Sequence, residues 1–401
     1  LLHIPLGRGI PDLSLSRLVI GVLVALVAAE IATGRRRMAR ITRSDLMVFL
    51  ALVGVGSSIL SATAQSASLA WFFESFMMPA LTYFVARNLI TDERKMIGAQ
   101  RALVAVGISL ALVVLQEQVM GVSWFPTEGS TAYGQHLRRI TGLLGNPAFH
   151  AVTLAMVLPF TWRAMIQNPA RRNRRLLLIA LGIMYAGLFL TYNRTGWLGG
   201  VLGILVFLIF CPRFRRPFLR LAPLLTIFIA VYWAEISTSY AFTERLVAVN
   251  PITTRIESYR LAWTVFRNFP TLGLGFGNLW YVSGLETPHN TFLWVLVTAG
   301  LVGFIPFLGQ FVSFGLDILT FYFKAPRVKG LDRELLAAFG VALLAYLAQV
   351  FAVDMLYGIY PNVVFFFIAG SVLGYQVEAT RRAKAAASAP AGARLSGQDD
   401  A

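Results

Sequence analysis

Histidine, cysteine and acidic residues are all scarce in this chain: four His, one Cys and 19 Asp plus Glu in 401 residues. A lone cysteine, Cys211, excludes a disulfide framework and any multi-cysteine metal centre. No His/Asp/Glu cluster shows metal-ligand spacing, so the sequence predicts neither a metal nor a cofactor. Charge is thin altogether. Only 13% of the residues are charged and 57% are apolar, whereas a soluble domain averages roughly 25% charged. That composition excludes a water-soluble globular domain. No repeat at solenoid or propeller period is present either.

What the chain has in abundance is long apolar runs, 30 Phe and 8 Trp. The runs approach the roughly 20 residues that a bilayer core about 30 Å thick requires. They predict an all-α polytopic membrane protein with spans at about 15–33, 46–62, 69–90, 102–120, 146–162, 176–191, 196–211, 221–238, 291–312, 336–353 and 362–377. The net charge of +16 raises the possibility of nucleic acid, but its distribution excludes that partner. Alternate connections, "GRRRMARITRSD", "TDERKMIGAQR", "RAMIQNPARRNRR", "PRFRRPFLR", "KAPRVKGLDRE" and the tail, hold 25 of the 35 basic residues. This is positive-inside bias, which places those connections in the cytoplasm. Eleven spans with a cytoplasmic C-terminus put residue 1 outside, and a chain opening on Leu predicts a further span upstream, twelve in all. The opening residues do not read as a cleavable signal peptide. One membrane domain is expected over 1–377, followed by a disordered cytoplasmic tail over 378–401.

Two outer connections are long, 121–145 and 239–290, and long ordered loops are where function gathers. In the second, Thr254 followed by Glu257 reads as a capping box. Ile256, Tyr259, Trp263 and Phe266 follow at helical spacing, with Arg260 and Arg267 on another face. The pattern predicts an amphipathic surface helix, with Arg255 in its first turn, where free N–H groups and a planar guanidinium together suit phosphate oxygens. "LGLGFGN" (272–278) follows this helix and lacks the preceding strand of a nucleotide loop, so it reads as a tight turn. Arg194, at an outer span junction in "TYNRTGWLGG", is one of few outer arginines. The others are Arg8, Arg138, Arg139, Arg245, Arg255, Arg260 and Arg267. His289 stands between Pro288 and Asn290 at the lip of the span beginning at Thr291. Those neighbours can be helix-start punctuation with the histidine a passenger, or the imidazole can act there as a general base. Charge inside spans is sparse (Glu30, Glu74, Arg87, Glu235, with Arg17 at a boundary), and most lies near span ends, where snorkelling accounts for it.

Taken together, "YNRTGWLG", "RIESYRLAWTVFRNFPTLGLGFGN" and "PHNTFLWVLVTAGLVG" resemble segments of the O-antigen ligase family, a superfamily that includes O-antigen polymerases and protein O-oligosaccharyltransferases. "GLLGNPAFHAVTLAMVLP" resembles a further segment, with Ala148 where the family usually has Asn. Asn193 replaces a common Ser. The resemblance covers roughly residues 130–310. It implies a GT-C-like membrane glycosyltransferase of the bacterial inner membrane, with its active site on the outer face. The donor would be an undecaprenyl-diphosphate-linked glycan and the acceptor lipid A–core or another glycan, as in lipopolysaccharide or other polysaccharide biosynthesis. Arg194 and Arg255 match the arginines that hold the donor diphosphate, and His289 matches the essential histidine. Arg138, Arg139, Arg260 and Asn290 are further candidate substrate contacts. The implied transfer is metal-independent and inverting. A polymerase of the same superfamily, or a polysaccharide transporter, is the alternative.

Overall fold

The computed structural model describes residues 3–4, 13–124, 140, 142–231, 234, 251–276, 278–279, 284, 287–326, 328 and 330–388. One two-residue antiparallel ladder, β1 (His3–Ile4) with β2 (Leu13–Ser14), precedes a helical chain. In order, the helices are α1 (Leu15–Ala32), α2 (Arg43–Ser57), α3 (Gln65–Phe72), α4 (Met78–Leu89), α5 (Glu93–Met120), α6 (Pro147–Gln167), α7 (Arg171–Leu190), α8 (Arg194–Phe210), α9 (Pro212–Val231), α10 (Pro251–Asn268), α11 (Thr291–Lys324), α12 (Arg333–Ala352) and α13 (Ile359–Ser388). A π-helical turn, Phe73–Met77, links α3 to α4. Among the described residues, eight helices are long and apolar enough to cross a bilayer, with Gln65–Leu89 taken as one, and α8 is a shorter apolar helix. The chain is an all-α, multi-pass membrane protein.

Every expected span falls on one of these helices, with residues 232, 233 and 235–238 of one span lying outside the described residues, but several boundaries move, among them the start of α5, at Glu93 and not 102, and that of α7, at Arg171 and not 176. Residues 212–220, expected as a loop, are the first turns of α9, with Pro212 pre-set for a helix start. Helix α11 runs on to Lys324, and Asp317, a buried charge within it, pairs with Arg43 (2.6 Å) and accepts from the Ser44 hydroxyl (2.5 Å). The tail expected to be disordered from residue 378 is helical to Ser388. There Glu378 pairs with Arg381 and Arg382, three and four residues on, in an alanine-rich stretch of high helix propensity.

Short polar side chains start the helices. Thr42 and Asp45 form a reciprocal capping box on α2. Asp92, Asn146, Asn193, Asn290 and Asp332 cap α5, α6, α8, α11 and α12. Each such cap is worth about 1 kcal/mol. Small residues then let backbones approach, as helix packing in lipid requires. A Cβ on Gly54 would lie 2.4 Å from Val302 O, so α2 and α11 touch at the backbone, and one on Gly370 would lie 2.3 Å from Tyr83 O, so α13 and α4 do the same. Helix α6 is the most enclosed span and lies at the bundle centre, against α5, α7, α8 and α12.

The arginine-rich connections gather at one end. Arg163, buried, pairs with Asp332 and donates to Gln100. Gln376 holds the Asp332 backbone, donating to its carbonyl at 3.2 Å. Arg87, which snorkelling was expected to explain, is instead buried beside Asp45 at 3.3 Å. Arg17 pairs with Glu74 in the π-helical turn. Burial alone would raise the Asp332 carboxyl, but the Arg163 guanidinium and its hydrogen bonds hold it below the ordinary aspartate value.

Candidate functional site

The opposite end of the bundle carries the sequence "TPHNT" (287–291). Its backbone and side chains are stitched to the turn between α12 and α13. Asn290 caps α11 by accepting from the Leu293 N–H (3.0 Å), and its amide donates to Phe351 O (3.2 Å). Thr291 Oγ1 donates to Val353 O (2.8 Å) and accepts from the Met355 N–H (2.9 Å). The turn itself is pinned from two more helices. Ser75 donates to Leu356 O at 2.8 Å, and Asn362 donates to Met355 O at 2.9 Å.

At the centre of this stitching stands Asp354. It is buried, it accepts from the Thr287 hydroxyl, and its Oδ2 lies 3.1 Å from His289 Nδ1. The His289 side chain is 59% exposed while that of Asp354 is 7% exposed. A buried carboxylate thus faces one ring nitrogen, and the other side of the ring is left to solvent. A carboxylate at this distance is placed to orient the ring through Nδ1, with Nε2 on the side away from it. Asp354 Oδ1 is buried with no hydrogen-bond partner among the described residues.

The backbone at His289 is also unusual. Its φ is +52°, in the left-handed region. A non-glycine residue there costs roughly 1–3 kcal/mol and persists where surrounding contacts over-determine it. Those contacts are the Asn290 cap and the Thr287 and Thr291 hydrogen bonds just described.

Beneath the histidine, α11 is broken. Gly300 has φ +58° and ψ −165°, and the 270–275 turn crosses the break. Leu274 and Gly275 N–H groups donate to Val297 and Thr298 carbonyls, both at 3.0 Å. Leu301 and Val302 N–H groups donate to Pro270 and Thr271 carbonyls at 2.9 and 3.1 Å. The break therefore leaves these backbone groups paired, the condition for interrupting a helix at membrane depth. The described part of the "LGLGFGN" stretch, 272–276, turns tightly, with Gly273 at φ +74° and Gly275 at φ +93°; residue 277 lies outside the described residues.

Helix α10 exists as expected but starts at Pro251, so the capping box at Thr254 does not form the helix start and Arg255 lies in the second turn. Proline at the first position supplies the start instead. The packed face also differs. Ala262 and Val265 are buried, whereas Ile256 and Trp263, expected on the apolar face, are exposed. The helix packs against α11. Arg255 is half-buried and Arg260 exposed. Neither forms a side-chain hydrogen bond or ion pair with the His289–Asp354 pair among the described residues.

Arg194 opens α8, directly after the Asn193 cap, whose Oδ1 accepts from the Gly196 N–H at 2.7 Å. Tyr192 just before has φ +49°. A Cβ on Gly199 would lie 3.1 Å from Ala345, and one on Gly203 would lie 3.1 Å from Val341. Helices α8 and α12 are therefore antiparallel, and Arg194 lies at the end to which α12 delivers Asp354. Arg138 and Arg139 lie outside the described residues, as do Glu235 and Arg245. The amide of Asn290 is engaged within the protein, which makes it a builder of the turn that carries His289. Among the described residues, no group of three His, Cys, Asp or Glu could hold a metal ion.

Sequence reasoning missed Asp354. The available signal was an isolated acid between two apolar helices, at the end where acids are few. Helix, break and His–Asp pair together define a multi-pass membrane protein with a histidine–carboxylate site at the mouth of a broken helix. The comparison with known families agrees with the motif reading: residues 176–308, about a third of the chain, match the family model described as O-antigen ligase. The O-antigen ligase family is thus the one this chain resembles by motif and by family model alike. The matched stretch takes in Arg194, Arg255, Arg260, His289 and Asn290 and ends before Asp354. No curated protein matches the chain.

Proposed function

We propose that the chain is an O-antigen-ligase-like glycosyltransferase. It moves a glycan from undecaprenyl diphosphate to an acceptor hydroxyl, on lipid A–core or a similar acceptor, at the outer face of the bacterial inner membrane. The observation that carries this reading is the exposed His289 backed by buried Asp354 at 3.1 Å, in a segment that resembles the family.

The acceptor oxygen attacks the anomeric carbon as the bond from that carbon to the diphosphate oxygen breaks, with inversion. The bonding pair leaves with the diphosphate, and the acceptor proton passes to His289 Nε2. Asp354 orients the ring and offsets the imidazolium charge that forms. Arg194 and Arg255 stabilise charge on the departing diphosphate, a task for which arginine's planar fork is suited. Arg138, Arg139 and Arg260 are further contacts to the donor.

The test uses purified full-length protein with carrier-linked glycan, no ion gradient, and EDTA present. Product formation is expected. A requirement for a gradient would favour transport, and a loss restored by Mg²⁺ or Mn²⁺ would overturn the arginine assignment. Offering lipid A–core against carrier-linked repeat units separates ligase from polymerase. Sidedness follows from cysteines placed at Ser283 and Asn173: an impermeant reagent outside should label 283 alone.

A further inference from the structure

The end remote from His289 holds a pocket that the transfer reaction does not use. It has a volume of about 210 Å³ and is lined by Met38, Ile41, Leu46, Phe49 and Phe84, with Asp45, Arg87, Asn88 and Ala39 completing its wall. Met38, Ile41, Leu46 and Phe49 are all exposed. Leu46 and Phe49 lie in the first two turns of α2, a helix apolar enough to span. The pocket therefore sits where a span meets the interface, with apolar side chains facing outward beside it.

Its polar features are organised around Arg87. The 34–42 loop is tied down over the end of α4: Arg36 donates to Asn88 O (2.8 Å), the Ala39 N–H donates to Asn88 Oδ1 (3.0 Å), and Arg87 Nη2 donates to Arg40 O (3.0 Å). Arg87 is 1% exposed, and its Nη1 is buried with no hydrogen-bond partner. Asp45 beside it is already engaged, accepting from Tyr83 (2.6 Å) and from the Thr42 N–H (2.7 Å). Arg36 is paired with Glu30 and Arg43 with Asp317. Arg35, Arg37 and Arg40 are exposed and make no side-chain hydrogen bond or ion pair among the described residues. The site is thus an apolar cavity partly walled by Met38, Ala39 and Ile41 of a loop whose exposed Arg37 and Arg40 are their chain neighbours, with an Arg87 guanidinium nitrogen that makes no hydrogen bond.

We propose that this pocket binds one anionic phospholipid from the leaflet at this end. An acyl chain lies along Leu46, Phe49 and Phe84, and the phosphate meets the arginine loop. A free anion would use the arginines but leave the apolar wall open. A zwitterionic lipid would fill the wall but leave the surplus charge unmatched. Basic pockets between spans take anionic headgroups by this combination.

The experiment titrates purified full-length protein in detergent with phosphatidylglycerol or with phosphatidylcholine of the same chains, read by native mass spectrometry. One phosphatidylglycerol should be retained about tenfold more tightly than phosphatidylcholine, since each interfacial arginine contributes several-fold. Millimolar inorganic phosphate should leave that adduct in place. The R37Q/R40Q variant, altered only at exposed side chains, should bring phosphatidylglycerol down to the phosphatidylcholine level. Leu46→Trp, which fills the pocket from an exposed position, should weaken both adducts. Equal retention of the two lipids by the unaltered protein overturns the proposal, and that comparison needs no variant to fold. Displacement by phosphate would mark a free-anion site and overturns it too, as does an adduct indifferent to R37Q/R40Q.

Discussion

The two ends of this bundle use the same materials to opposite purpose. At one end Arg163 meets Asp332 and Arg87 meets Asp45, the cations buried and the anions half-buried and buried in turn. At the other, Asp354 is equally withdrawn, but its partner His289 is mostly exposed and held at a φ of +52°. In the first arrangement each charge meets its opposite inside the protein, which locks helices together. Removing one partner of such a pair leaves an uncompensated buried charge and is costly, about 3–5 kcal/mol. In the second, only half the pair is buried, and the other half is turned toward whatever approaches from outside. A carboxylate's burial alone does not separate the two roles; the exposure of its partner does.

The sharpest way to break that comparison is to remove the exposed partner. His289→Ala should lower transfer by about 10²–10⁴, the usual worth of a positioned general base, while carrier-lipid binding stays nearly intact. His289→Gln, which can still hydrogen-bond, separates orientation from proton removal: substantial activity would favour orientation. Normal turnover by the alanine variant would make the histidine a structural passenger. Arg255→Lys keeps the charge and loses the fork. It should cost about 10²–10³ in rate together with donor binding, measured on protein that still inserts. If His289→Ala loses donor binding as badly, the division of labour is wrong. Asp354→Asn should lower turnover by about 10², a part of the general-base contribution, with the donor dissociation constant unchanged.

The smallest effect on transfer belongs to the remote end. Asp332→Asn should leave turnover unchanged and lower the thermal midpoint. The sign of its pH dependence follows from the carboxyl being held below its ordinary value of 3.8. The stabilisation is fully present above that value and is lost as pH falls through the folded-state pKa. Midpoints measured in acid should therefore drop more in the unaltered protein than in the variant. If Asp332→Asn instead lowers turnover as much as Asp354→Asn, the two ends are not distinct in role.

Much of the architecture was legible because its cause is local. Apolar runs gave eleven helical positions, and Asn290 as helix-start punctuation and the glycines at 273 and 275 as a turn were legible by residue type alone. Where α11 runs past its expected end, the contacts are non-local: Asp317 meets Arg43 and Ser44, far away in sequence. The start of α10 was misplaced because two signals competed, and Pro251 won over the Thr254 capping box. At the site, His289 was legible from its neighbours and from resemblance. Asp354 was not, since its importance lies in meeting a residue of another helix, and no spacing within the chain encodes that.

The break in α11 ties the place of the imidazole to the packing of the bundle. The chain is clamped to the bundle where the 270–275 turn bonds across Gly300 and again where Thr287, Asn290 and Thr291 bond to the 351–355 segment. A further attachment lies between these, where Thr63 donates to Asn278 Oδ1 at 2.8 Å and Leu279 is buried in the core. A substitution at Gly273, Gly275 or Gly300 that opened the break would therefore be felt along the same stretch of chain that holds His289, although none of these glycines touches the ring.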